Sequence, residues 1–203
     1  MSIVGDEFAL SFLNNKYFLI DKIGIGTFSS VCLALNITDN KLYAIKIQNI
    51  EYYTDGKKEA KFLRKINQLE CPHVTKLVDW FETENPKRNY MNYCMVLDLC
   101  KCSASALLKM SDEPFSVDLS FKIARHVLMA VNALNSIDMI HTDIKLSNVL
   151  IAGLNPLFES FQRYLDETKF SEKYLEKYAI INQVVNAMEK NKHTNTVAYK
   201  TKQ

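Results

Sequence analysis

His141-Thr142-Asp143-Ile144-Lys145-Leu146-Ser147-Asn148, running into Val149-Leu150-Ile151, holds an acid, a lysine and an amide at fixed offsets on one short loop, with a β-branched stretch leading away from it. An acid so placed can orient a hydroxyl and take its proton. The lysine puts positive charge where a transferring phosphoryl group carries its growing negative one. The amide oxygen suits a hard cation. The same residue types also make an ordinary polar loop capping a strand, and the eight residues alone leave both readings open. The sequence upstream decides between them.

Tyr17 to Ile25 reads as a strand rich in aromatic and β-branched residues, ending at Gly24-Ile25-Gly26. Strand character resumes from Ser30 to Asn36, and Thr38-Asp39-Asn40 supplies turn chemistry before a third strand, Leu42 to Ile47. Gly24-Ile25-Gly26-Thr27-Phe28-Ser29 matches G-x-G-x-x-G with serine in the last place. A dinucleotide-binding version needs a helix directly after it. A strand follows here, which fits either a flap over nucleotide phosphates or a plain hairpin. Tyr43-Ala44-Ile45-Lys46 then places a lysine inside an apolar strand, where an exposed edge residue is the commoner case.

Asp55 to Ile66 is predicted to be a helix, because Ala60, Leu63 and Ile66 recur at helical spacing and Phe62 widens the stripe. Glu59 stands beside that stripe near the helix start, as a partner for Lys46 or as a solvated helix residue. Glu51 and Glu70 are competitors outside the helix interior. Val74 to Phe81 and Asn92 to Leu97 complete a five-stranded sheet, with the polar loop Glu82 to Asn89 between them. Asp98-Leu99-Cys100 is the natural crossing to a second lobe. Val117 to Ile137 is a long helix whose apolar stripe, including Leu119, Ile123, Val127 and Leu134, is read as core.

The balance of the 203 residues excludes several function classes. A formal net charge of +2 implies no general polyanion binding and no direct contact with nucleic acid. The five cysteines fit neither a zinc site nor a disulfide framework and are read as reduced thiols. No signal peptide and no membrane-spanning run is visible, so cytoplasm or nucleus is the expected location.

In this order, glycine flap, Ala44-Ile45-Lys46, helix Glu59, hinge, long helix and His141-Thr142-Asp143 resemble the eukaryotic protein kinases from Tyr17 to Ile151. Within them the likeness is to the SR-protein kinases. It rests on Ile140-His141-Thr142-Asp143-Ile144-Lys145, with Thr142 where most kinases have arginine, on Tyr53-Thr54-Asp55, and on Cys94-Met95-Val96. The resemblance implies an α+β fold: a kinase-like first lobe of five antiparallel strands and one helix, then a partial helical second lobe. Residues 1–16 would be an extension, 17–97 the first lobe, 98–154 the hinge and partial second lobe, 155–190 a helical insert-like segment, and 191–203 a polar, disordered tail.

The resemblance also implies roles. ATP and Mg²⁺ would be the cofactors. Gly24, Ile25, Gly26, Thr27, Phe28, Ser29 and Ser30 would cover the phosphates. Ile23, Val31, Ala44 and Leu150 would sandwich adenine, with Leu97 as gatekeeper and Leu99 in the hinge. Lys46 would hold phosphates and Glu59 would orient it. Asp143 would be the catalytic base, Lys145 the γ-phosphate contact and Asn148 a magnesium ligand. The substrate would be a protein serine or threonine in an arginine–serine-rich sequence, and Thr142 implies constitutive activity.

The family also places Asp-Phe-Gly soon after the catalytic loop, as its main magnesium contact. Between Asn148 and Gln203 the only aspartate is Asp166, with no glycine behind it, and no Ala-Pro-Glu follows. Two amphipathic stretches occupy this region: Leu157, Phe158, Phe161, Tyr164 and Leu165, then Tyr174, Tyr178, Ile181, Val185 and Met188. SR-protein kinases are similar in carrying a spacer here. The expectation is the front part of a kinase, truncated or split between two chains, with a catalytically dead nucleotide-binding or scaffold fragment as the alternative. Either the terminal helices or a partner would then cover the apolar face of the Val117–Ile137 helix.

Overall fold

A computed structural model describes residues 11–85, 90–111, 113–177 and 179. The first lobe is one antiparallel sheet made of β1 (Phe12–Leu13), β2 (Tyr17–Ile25), β3 (Ser29–Asn36), β4 (Lys41–Gln48), β5 (Leu77–Glu84) and β6 (Met91–Asp98). Its order is β1-β2-β3-β4-β6-β5. The sheet therefore has six strands where five were expected. The added strand comes from the supposed extension: Asn14 and Asn15 take φ of 52° and 50° and fold Phe12–Leu13 back onto Tyr17 and Phe18. Two residues are too few for a hydrophobic period to reveal them. β5 starts later and runs further than expected. Its polar residues Glu82, Thr83 and Glu84 still pair with Tyr93, Asn92 and Met91, so the strand continues into the supposed loop.

The sheet curls until its ends meet. Tyr17 Oη donates to Asp79 Oδ2 at 2.7 Å, Lys16 Nζ lies 3.3 Å from the same oxygen, and the Tyr17 and Phe81 rings stack at 5.6 Å. Inside the curl lie Leu13, Leu19, Ile45, Ile47, Cys94 and Val96, all nearly inaccessible. Burial and the Asp79 carboxylate push the Tyr17 phenol far above its usual range, so it stays a donor at every working pH. Tyr17→Phe is expected to cost about 1–2 kcal/mol in urea unfolding, because the Asp79 carboxylate loses a donor beside a buried ring.

α1 (Tyr53–Asn67) follows a single 3₁₀ turn, Ile50–Tyr52, and packs Ala60 against Leu77, Tyr93 and Met95. It comes closest to the sheet at Gly56, where a Cβ would stand 2.6 Å from Gln48 Cγ and 3.2 Å from Tyr93 Cδ1. Glycine is required there by space. Past the hinge, β7 (Cys102–Ser103) pairs with β8 (Leu150–Ile151). Between them lie α2 (Ala104–Met110), α3 (Val117–Asn135) and the loop of residues 140–148. Ser103 and Ser116 cap the two helices through their hydroxyls. The stacked rings of His73 and His126, 4.2 Å apart, join α3 to the first lobe.

Of the expected covers for α3, terminal helices or a partner, the first terminal helix, α4 (Pro156–Thr168), lies elsewhere. It begins at Asn155, whose side chain accepts from the Phe158 N–H, and it ends at Lys169 in a left-handed conformation. Its stripe Phe158, Phe161 and Leu165, with Leu154 just ahead of the helix, packs against Leu33, Leu35 and Leu42 on the sheet. Phe121, Leu128 and Met129 of α3 stay exposed. Residues 170–177 are helical and bring Tyr174 onto Phe12, with ring centroids 5.2 Å apart. Tyr178, Ile181, Val185 and Met188, and the tail from Asn191, lie outside the described residues. Among the described residues no helix is long and apolar enough to cross a membrane.

Candidate active site

The candidate residues fall in two groups, one on the sheet and α1 and one on the loop of residues 140–148. On the sheet side, β4 presents Lys46 and α1 presents Glu59. Lys46 Nζ lies 2.7 Å from each Glu59 carboxylate oxygen, and Gln48 Nε2 donates to Oε2 at 3.2 Å. The pairing read from sequence is therefore formed, and Glu51 and Glu70 take no part in it. Both side chains are only partly covered, which leaves the ammonium donors to share with a ligand. Gln48 joins the pair as a residue beyond those expected from the sequence. It adjoins Gly56 and braces the glutamate, and no local period marks that role.

The flap Gly26 to Ser29 is closed by the Gly26 N–H donating to the Ser29 carbonyl at 2.8 Å. Thr27 and Phe28 form its tip. Ser29 and Ser30 are buried. Ile23, Ile25 and Phe28 are exposed on the flap side, and Leu150 is exposed on β8. Ala44 and Leu99 are buried beside Val31 in one cluster, while Leu97 packs against Met95 in the next. Exposed apolar side chains on the flap and on β8, together with the buried cluster around Ala44, are of the kind that sandwich a flat apolar ring. Leu150 is placed by backbone bonds: Lys101 N–H donates to Ile151 O at 2.9 Å, and Ala104 N–H to Val149 O at 2.7 Å. The ribbon β7–β8 thus fixes the hinge to the loop that carries the acid.

On that loop, Lys145 Nζ lies 2.9 Å from Asp143 Oδ2, and Asn148 Nδ2 donates to the same oxygen at 2.9 Å. Asn148 also donates to the Asp143 carbonyl, and the Asp143 N–H donates to His141 Nδ1. Thr142 has φ of 64°, a genuine outlier for a β-branched residue, and it sits directly before the acid. The hydrogen bond from Lys145, helped by that from Asn148, holds the Asp143 carboxyl below the usual aspartate range. The group is exposed and ionised at neutral pH.

The three predicted polar residues of the loop are thus brought together, with one Asp143 oxygen and the Asn148 amide oxygen left over. For magnesium this is an oxygen-only donor set of the right kind, forming one side of a site that phosphates and water would complete. Among the described residues no group of three or more His, Cys, Asp or Glu side chains could hold a metal. Asp166 is engaged elsewhere: its Oδ1 accepts from Asn40 Nδ2 at 2.8 Å and Gln162 Nε2 at 2.9 Å, on the sheet.

Comparison with known proteins points the same way. The protein kinase domain family matches residues 17–157. A putative serine/threonine-protein kinase of Acanthamoeba polyphaga mimivirus is 28% identical over 81% of this chain and 31% of its own length. The serine/threonine-protein kinase spk-1 of Caenorhabditis elegans is 33% identical over 73% of this chain and 15% of its own. The crystal structure of a kinase domain superposes with a TM-score of 0.61 at 28% identity, covering 73% of this chain and 42% of that one. The chain spans less than a third of the length of these curated relatives.

Proposed function

As this chain belongs to the protein kinase domain family, we propose that it binds ATP between the sheet and the catalytic loop and transfers the γ-phosphate to a protein serine or threonine. The observation that carries this reading is the Lys46–Glu59 pair, with both oxygens at 2.7 Å, in a chain whose 140–148 loop groups Asp143, Lys145 and Asn148. A lysine so held presents its charge to the α- and β-phosphates at little reorganisation cost. Asp143 accepts the proton of the attacking hydroxyl through its free oxygen, and Lys145 faces the charge that builds on the γ-phosphate. The family uses ATP with Mg²⁺; bound magnesium neutralises phosphate charge, and the Asn148 amide oxygen would hold it.

Arginine–serine-rich protein is the substrate class we favour, supported by Thr142 at the arginine position and Cys94-Met95-Val96 before the hinge. Cytoplasm or nucleus is the location that goes with it. The position of Asp166 favours a second reading: a nucleotide-binding scaffold, or one half of a two-chain kinase whose partner supplies a magnesium carboxylate and covers α3. The test is transfer from labelled ATP to an arginine–serine peptide by purified, monodisperse protein. Transfer supports the first reading. Nucleotide binding without transfer supports the second, and activity regained on mixing identifies the two-chain form. Absence of nucleotide binding removes both.

A further inference from the structure

We propose that Asn49 is the positioning residue of the glycine flap, tying back two of its carbonyls so that its N–H groups face the phosphates of a bound nucleotide. The proposal rests on the nucleotide-binding reading above. Asn49 precedes the turn Ile50–Tyr52 with extended backbone, φ −64° and ψ 148°. Asparagine in that place ordinarily accepts from the first free N–H groups of the helix. Here its side chain makes no such cap. Instead Nδ2 reaches back to the Thr27 carbonyl at 3.0 Å, while the Asn49 N–H donates to the Phe28 carbonyl at 2.9 Å.

Those two bonds set the direction of the flap's donors. Every peptide bond here is trans, and across a planar trans peptide the carbonyl and the N–H point in opposite directions. Holding the Thr27 and Phe28 carbonyls toward Asn49 therefore turns the Phe28 and Ser29 N–H groups away from it. The Phe28 N–H has no hydrogen-bond partner among the described residues. Successive backbone N–H groups aimed one way form a concavity for an anion. The Phe28 ring is held as well, edge-on to Tyr52 with centroids 4.6 Å apart, and the Tyr52 N–H donates to the Asn49 carbonyl at 2.9 Å. One residue thus links the flap tip to the turn that leads into the Glu59 helix.

The test compares MgADP with adenosine, which lacks phosphates, by calorimetric titration of the full 203-residue chain. Asn49→Ala is expected to weaken MgADP about five- to tenfold, the value of one lost hydrogen bond, and to leave adenosine within about twofold. Asn49→Asp should weaken MgADP at least as much, because it sets a carboxylate oxygen against the Thr27 carbonyl. Unfolding midpoints near that of the unaltered chain show that the fold is kept. Equal weakening of both ligands means a structural role and overturns the proposal, as does no weakening of either. If the unaltered chain binds MgADP but the variants show no phosphate-selective loss, only this proposal falls. If the unaltered chain binds neither ligand, the nucleotide-binding reading falls with it.

Discussion

Asp143→Asn is expected to lower phosphate transfer by about 10² to 10⁴-fold in any preparation that transfers phosphate, with MgADP affinity and unfolding midpoint little changed. The substitution keeps the size and planarity of the side chain. It also keeps an oxygen for the bonds that Lys145 and Asn148 make at 2.9 Å. What it removes is the ability to take the hydroxyl proton. The remaining rate would come from positioning by Lys46 and Lys145, which the change leaves alone. A loss below about tenfold would mean that the proton goes elsewhere and that Asp143 only shapes the loop.

The pH profile gives an independent reading of the same residue. Because the Lys145 hydrogen bond lowers the Asp143 carboxyl, its basic form is retained as pH falls and is lost only below the ordinary aspartate value of about 3.9. Lys145→Ala should move that acid limb upward. The signature of the base is therefore separable from the contribution of the lysine to γ-phosphate charge.

How far the sequence carried these conclusions depends on the range of the contacts. Lys46 and Glu59 were legible because each lies on an element with a clear period, and both elements are set by local apolar spacing. Asp143, Lys145 and Asn148 were legible because one short loop holds them all. Asn49 and Gln48 were not: their roles depend on where the flap and Gly56 come to rest, and neither residue belongs to a repeating pattern. The strand at Phe12–Leu13 was too short to show any period. The docking of α4 was hidden for another reason. Its amphipathic stripe was visible, but a stripe specifies only that a face is buried and not which surface buries it. The sheet won over α3 because the β3–β4 turn offers polar partners in addition to apolar ones. Asn40, with φ of 58°, turns its carbonyl to Gln162 Nε2 and its side chain to Asp166 and Ser171.

That docking makes Leu165→Ala the second large expected effect, a loss of about 2–4 kcal/mol in urea unfolding. Leu165 is 2% exposed and lies in the cluster formed by Leu33, Leu35 and Leu42. Truncation removes its transfer free energy and leaves a cavity that a β-sheet face cannot close by sliding. Leu157, on the same helix but 73% exposed, is the control, and Leu157→Ala should change stability by less than about 0.5 kcal/mol. Gln162→Ala should fall between them at about 1–2 kcal/mol, since it strips the Leu42 N–H of its acceptor at 3.0 Å and the Asn40 carbonyl of its donor. If Leu165→Ala and Leu157→Ala were equally mild, α4 would be an appendage of the sheet. The expected contrast makes it part of the first lobe. The chain that leaves the catalytic loop through Leu150 then returns at once to brace the β3–β4 hairpin, whose second strand carries Lys46. Loosening Leu165 should for that reason also weaken MgADP binding, whereas Leu157→Ala should not.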